Sequence, residues 1–264
     1  MNILCIGDVV AAGGCEVLKA QLPKLKREFS ADLCIVNAEN SAVGNGILPS
    51  SADAILNAGA DLLTGGNHSL KRPEIYDDID RSKLIIRPYN LADAPAGRGY
   101  ALIDMGRCKV AVINLMGRLY MEGASDPFAA LDNLVEKAKE DGAAVTVVDF
   151  HAEATSEKRA LGFYADSKVS VFFGTHTHVQ TADIQVLPQG TGYITDLGMC
   201  GGKHSVLGVE KERSIARFTG DTTVKFKEAP PPYQICGAVF EVDEKSGKCL
   251  FAKSFVREVD LQLK

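Results

Sequence analysis

Apolar runs of strand length recur along the first two thirds of the chain, and several stop abruptly at a polar or ionisable residue. Asn2 to Gly7 ends at Asp8, and Asp32 to Val36 runs into Asn37-Ala38-Glu39-Asn40. Asp61 to Thr64 is followed by Gly65-Gly66-Asn67-His68, and Ala143 to Phe150 stops at His151. Val169 to Phe173 leads into Gly174-Thr175-His176-Thr177-His178. Helical patterns fall between these runs. Leu18, Leu22, Leu25 and Phe29 make the stripe of a half-buried helix over Cys15 to Phe29, after a Gly-containing turn. Pro23 inside it implies a kink or a later start. Ser51 to Ala58, Pro73 to Ile79 and Ser156 to Leu161 read as shorter helices. Ser125-Asp126-Pro127 is a helix start, a cap followed by proline in the first turn, and Phe128, Leu131, Leu134 and Ala138 supply its buried stripe.

Leu84 to Ile86, Tyr100 to Met105 and Lys109 to Leu115 are further strands. The later pattern is different: Ile184 to Leu187, Gly192 to Thr195 and Ile215 to Lys227 alternate like antiparallel strands. Ile235 to Val242 and Lys248 to Val256 flank Asp243-Glu244-Lys245-Ser246-Gly247, a hairpin signal. A β-α-β-α-β start followed by antiparallel strands predicts a layered α/β fold with two sheets, in one domain over residues 1–264.

Composition changes this picture little but narrows the partners. The 264 residues are 46% hydrophobic and 24% charged, which suits a chain with a substantial core. The net charge of −5 argues against a nucleic-acid polymer as partner, so an anionic small molecule needs a local positive site. Seven scattered cysteines without a CxxC fit a reducing cytoplasm better than a disulfide framework. No run approaches the ~18 apolar residues of a membrane span. The apolar N-terminus lacks a cationic region and is broken by Asp8, so it reads as a strand.

Asp8, Glu39-Asn40, Asn67-His68, His151 and His176/His178 therefore all sit at strand ends, where function gathers in open α/β sheets. Each alone has an ordinary explanation: Asp8 and Glu39 as helix caps, Asn67 in a left-handed turn, His151 as a hydrogen-bonded core histidine, and the His-x-His pair as solvated loop residues. Their shared position is what ordinary explanations leave out. Carboxylate, amide and imidazole donors without cysteine suit Fe, Mn or Zn rather than Mg or Ca. Two such ions ~3.5–4 Å apart would hold a bridging hydroxide and clamp both oxygens of an in-line phosphoryl displacement.

These stretches resemble the calcineurin-like metallophosphoesterase superfamily: an early Asp, a second acidic strand end, Gly66-Asn67-His68, a lone His151, then Gly174-x-His176-x-His178. The similarity to the YmdB-type family of bacterial 2′,3′-cyclic nucleotide phosphodiesterases is closer still. It rests on Ile6-Gly7-Asp8, Asn37-Ala38-Glu39-Asn40, Asn114-Leu115-Met116-Gly117-Arg118, Asp149 to Glu157, Gly174 to Thr181 and Thr195 to Met199. The resemblance implies a metallophosphoesterase-type fold of two mixed sheets packed together and flanked by helices. It implies that Asp8 and His178 hold one metal, that Asn67, His151 and His176 hold the other, and that Glu39 bridges them. Asn40 is implied beside the first metal, as ligand or phosphate contact, and His68 faces the phosphate as general acid or transition-state stabiliser. The metals implied are two iron ions, with Mn or Zn by substitution.

Two departures from the wider superfamily matter. Val10 stands where a histidine is usual, and Glu39 where Asp is usual; both favour the narrower family. Its first loop often carries Gly and Arg, whereas Val10-Ala11-Ala12-Gly13-Gly14-Cys15 has no Arg. The activity implied is hydrolysis of a cyclic phosphodiester by in-line attack of a metal-bridging hydroxide, with His68 protonating the leaving ribose oxygen. Arg118 and Glu153 to Glu157 shape the pocket or lie on the surface. Asp149 and Asp196 orient ligand histidines or cap loops, and His204 reads as an exposed loop residue. A broad phosphomonoesterase/phosphodiesterase using the same site, and a regulatory metal- or nucleotide-binding module acting through a protein partner, are the alternatives. The apolar C-terminal hairpin reads as one face of the second sheet, with a homo-oligomer interface left open.

Overall fold

The helix–strand alternation of the first half forms as its apolar spacing predicts, and the second half closes it. A computed structural model describes residues 1–261. The chain runs β1 (Asn2–Ile6), β2 (Asp8–Val9), α1 (Ala11–Glu28), β3 (Leu33–Asn37), α2 (Pro49–Asn57) and β4 (Leu62–Thr64). A short turn of 3₁₀ helix leads into α3 (Tyr76–Arg81), followed by β5 (Tyr100–Asp104), β6 (Lys109–Met116), α4 (Pro127–Glu140), β7 (Val145–His151), α5 (Thr155–Ala165) and β8 (Val171–Thr175). Then come β9 (Gln185–Val186), β10 (Gly192–Ile194), β11 (Met199–Gly202), β12 (Ser205–Val206), β13 (Val209–Glu210), α6 (Lys211–Phe218), β14 (Tyr233–Val242) and β15 (Cys249–Val259).

Two mixed sheets result. One has the order β2-β11-β14-β1-β3-β4 with β15 paired to β14, and the other the order β5-β6-β7-β8-β10-β9. Within them β1-β3-β4 and β6-β7-β8-β10 are parallel runs. Period-two alternation explains the layers. Ile3, Cys5, Leu33 and Ile35 point inward to meet Val110, Val112, Val147, Val171 and Phe173 of the other sheet. Leu4, Ile6, Cys34 and Val36 point outward under Leu18, Leu22 and Leu25 of α1 and Ile55 of α2. On the far side Val148, Phe150 and Phe172 lie under Leu131 and Leu134 of α4 and Leu161 of α5. Strands covered on both faces read as unbroken apolar runs. Burying each such side chain contributes about 1.5–3 kcal/mol.

Three expectations are corrected. α1 begins at Ala11, four residues before Cys15, so Gly13 and Gly14 lie inside the helix rather than in a turn. They are there for close approach: a Cβ on Gly14 would sit 2.5 Å from the Cys200 carbonyl oxygen, and one on Gly13 would lie 2.3 Å from Glu228 Oε1. Ile215 to Lys227 is not a strand. Its first part is in α6, and the carbonyls of Thr222, Val224 and Lys225 accept from Arg217 and Arg213 side chains instead of a ladder. Leu84 to Ile86 makes only a single bridge, Ile85 to Leu63 on the edge of β4. The parallel runs of both sheets end on one side, and there the chemistry collects.

Candidate metal centre

Every strand-end residue singled out above arrives at this edge, and His204, read as an exposed loop residue, is exposed. Asp8 opens β2, with its N–H on the Gly198 carbonyl (3.1 Å). Glu39 and Asn40 follow β3, and Asn67 and His68 follow β4. From the other sheet come His151, the last residue of β7, and His176 and His178 just past β8. His151 Nε2 lies 3.2 Å from Glu39 Oε2, 3.1 Å from Asn67 Oδ1 and 3.0 Å from His176 Nδ1. Glu39, His151 and His176 each offer a donor atom within 4.8 Å of the others. Beside them His178 Nε2 lies 3.7 Å from Asp8 Oδ1 and 3.3 Å from Asn40 Nδ2.

The hydrogen bonds outside this cluster decide which ring nitrogens face inward. Asp149, buried under the site, accepts from Thr64 Oγ1 (2.5 Å), Thr175 Oγ1 (2.7 Å) and Asn37 Nδ2 (3.0 Å). Thr175 has spent its one proton there, so its contact with His151 Nδ1 (2.9 Å) requires the ring N–H to donate. His151 therefore turns Nε2 toward Glu39, Asn67 and His176. His176 Nε2 reaches the Glu153 carboxylate (3.1 Å), leaving Nδ1 for the centre. His178 Nδ1 donates to the Leu207 carbonyl (3.0 Å), leaving Nε2. Three imidazoles thus rest one ring nitrogen on a protein acceptor and converge the other, as metal-binding histidines do.

Two observations test whether a cation fits. Asp8 Oδ1 is the one buried side-chain oxygen or nitrogen among the described residues without a hydrogen-bond partner, although it faces His178 and His151. Buried polar atoms are otherwise paired almost without exception. A Cβ on Gly66 would fall 2.3 Å from both Glu39 Oε2 and His151 Nε2, so glycine keeps the space between these donors clear. The donors fit a site for metal.

Electrostatics points the same way. Burial pushes the Asp8 carboxyl up. Burial also opposes charge on Glu39, but the neighbouring His151 and His68 outweigh it and hold the carboxyl well below its usual range. Burial works against a charged His151, yet Glu39, Asp8 and Asp149 together raise it to about 9. Burial, then the His151 charge, lowers His176 to about 3. The protein alone thus keeps a proton on His151 between two carboxylates; a bound cation would take over that proton's role. Burial lifts Asp149 to about 6.

Asn40 and His68 form the rim. Asn40 Nδ2 donates to Glu39 Oε1 (2.7 Å), and its Oδ1 faces His68 Nδ1 (2.9 Å). The His68 backbone N–H donates to Glu39 Oε2 (3.0 Å). With Nδ1 engaged, Nε2 is the ring nitrogen left for a ligand. Arg118 is exposed on the loop after β6, and Glu157 accepts the Arg118 and Leu119 backbone N–H groups (2.9 and 3.2 Å). Thr175, Thr64 and Asn37 were missed at the sequence level. Their one signal was Asp149 itself, a carboxylate inside an apolar run.

Two packed mixed sheets, helices on their outer faces and a carboxylate–amide–imidazole cluster at their common edge define a metallophosphoesterase-type fold and a hydrolytic metallophosphoesterase enzyme. Residues 4–255 match the family described as YmdB-like protein. A relative in Bacillus subtilis (strain 168), named 2′,3′-cyclic-nucleotide 2′-phosphodiesterase, is 40% identical over 250 residues, 95% of this chain and 94% of its own. Among solved structures, a hypothetical protein from Thermus thermophilus superposes with a TM-score of 0.90 at 36% identity, over 98% of this chain and 100% of that one. A structure described as a novel phosphatase, from Mycoplasma pneumoniae, gives 0.91 at 34% identity, over 98% and 94%. The chain belongs to the YmdB-like family. Membership implies divalent metal ions. No helix among the described residues is long and apolar enough to cross a membrane.

Proposed function

We propose that the chain is a dinuclear metal phosphodiesterase that hydrolyses 2′,3′-cyclic nucleotides. The observation that carries this is the convergence of three imidazole nitrogens and the Asp8 and Glu39 carboxylates on one edge of the paired sheets. The name of the Bacillus subtilis relative supports the substrate. Asn67, His151 and His176 would hold one metal, Asp8 and His178 the other, and Glu39, whose two oxygens face different neighbours, would bridge. Donors of N and O without cysteine favour Fe, Mn or Zn; the family resemblance puts iron first, with Mn or Zn as substitutes. Bound metals supply a nucleophile that is deprotonated at neutral pH and neutralise charge on the phosphoryl oxygens.

The chain's own groups do the rest. Asn40 holds His68 by Nδ1, so the ring presents Nε2 to the phosphate. A proton on Nε2 passes to the ribose oxygen that leaves phosphorus. The same Asn40 ties His68 to Glu39, keeping acid and metal donors in fixed relation. The buried cysteines are free, which suits a reducing cytoplasm.

The test is an assay of the metal-loaded protein on 2′,3′-cyclic nucleotides, 3′,5′-cyclic nucleotides and simple phosphomonoesters. Turnover of the 2′,3′-cyclic substrates well above the others is the expected result. Equal turnover of phosphomonoesters would instead establish a broad phosphatase. No turnover of any phosphoester by the loaded protein would leave the regulatory module as the reading.

A further inference from the structure

Lys158 is a fully buried cation that this function leaves unused. It lies in the first turns of α5, and its Nζ donates to Asp196 Oδ2 and to the Thr175 carbonyl, both at 2.7 Å. Asp196 is equally buried. Its Oδ2 also accepts from the Thr177 N–H (3.1 Å), and its Oδ1 from the Gly198 N–H (2.8 Å). The pair therefore grips the backbone on both sides of His176, at Thr175 and at Thr177. Through Gly198 it reaches the other half of the site, because the Gly198 carbonyl accepts the Asp8 N–H (3.1 Å). The His176 N–H closes the circuit on Asp8 Oδ2 (3.1 Å).

This turn needs holding. His176 and His178 both adopt positive φ, +99° and +63°, a region that non-glycine residues enter at a cost that the surroundings must offset. Buried ion pairs contribute little net stability, so their value lies in geometry. A lone cation here would repel a metal a few residues away, but paired with Asp196 it is neutral and can position without repelling. Neighbouring residues act alike: Glu153 takes His176 Nε2, and Glu157 takes the rim amides of Arg118 and Leu119.

We propose that Lys158 and Asp196 are positioning residues for the metal centre. The buried pair clamps the His176-Thr177-His178 turn and Asp8 into ligating geometry, so metal affinity depends on it more than folding does. This inference rests on the metal-centre reading above.

The test titrates Mn²⁺ into the full-length wild type, Lys158→Met and Lys158→Met/Asp196→Asn, following free Mn²⁺ and the spin-coupled pair by electron paramagnetic resonance. Melting of each metal-free protein by circular dichroism runs beside it. The single variant strands a buried carboxylate and melts lower. The double variant removes both charges, and its metal-free melting stays within a few degrees of wild type. Its Mn²⁺ affinity falls about 10–100-fold, the usual effect of losing groups that orient ligands, and the coupled signal weakens. Wild-type affinity in the folded double variant overturns the inference while leaving the metal centre standing. A double variant with no cooperative melt makes the pair a folding element and also overturns it. Wild type that takes up no Mn²⁺ overturns the metal-centre reading and this inference together.

Discussion

His151 depends on residues that never touch the centre. Its Nδ1–H rests on Thr175 Oγ1, whose own proton is on Asp149, and that relay aims Nε2 at Glu39. Thr175→Val keeps the shape but removes the relay. Metal affinity is expected to fall about 10–100-fold, and stability by about 1–3 kcal/mol, from buried groups left without partners. Unchanged affinity in a titration would show that ring orientation is set by packing alone. His68 tests a different role. His68→Ala should retain its metals while kcat on a 2′,3′-cyclic nucleotide falls ~10²–10⁴-fold, the range for a general acid; full turnover would remove His68 from the chemistry. At this scale the sequence revealed the carboxylates and imidazoles, because ionisable groups after apolar runs stand out. It hid Thr175, since threonine is at home in any strand, and Lys158, since a lysine in a helix reads as solvated until the fold buries it.

Strand ends were legible element by element because each run is covered on both faces and therefore uninterrupted, as in Cys34-Ile35-Val36 and Val147-Val148. The start of α1 was not, since glycine signals a turn and a close approach with the same letter; only the Cys200 carbonyl packed on Gly14 separates the two. α6 was missed because its apolar Ile215 and Phe218 face solvent, which defeats any argument from burial. One turn yields a pH prediction. Partial burial pushes Asp183 up, but hydrogen bonds from Thr195 and Thr181 outweigh it and lower the folded pKa. A carboxylate depressed in the folded state stabilises above its unfolded pKa of about 4, and that contribution is lost as pH falls through the folded value. Asp183→Asn should melt lower than wild type at pH 7, with the gap closing toward pH 3. A gap independent of pH would assign Asp183 to packing instead.

The whole molecule is two sheets meeting at one edge, and the donors come from both: Asp8, Glu39 and Asn67 from one, His151, His176 and His178 from the other. A metal held there would cross-link the sheets and stabilise the fold through linkage, by ~2.7 kcal/mol at a hundredfold excess over Kd. Chelator-treated protein should melt below the loaded form, and a melting temperature indifferent to metal would contradict the cross-link. The layered architecture was readable because helices and strands alternate. The strand order within the first sheet was not, as it depends on pairings such as β1 with β14, more than two hundred residues apart.

Elemental analysis of the purified protein, wild type beside Glu39→Ala and Gly66→Ala, bears most directly on the proposed dinuclear centre. Close to two transition-metal ions per chain are expected in wild type. Glu39→Ala should lose them with its bridging carboxylate, and Gly66→Ala because its Cβ fills the space between Glu39 and His151. Wild type that carries no metal and takes up none when offered Fe, Mn or Zn would contradict it.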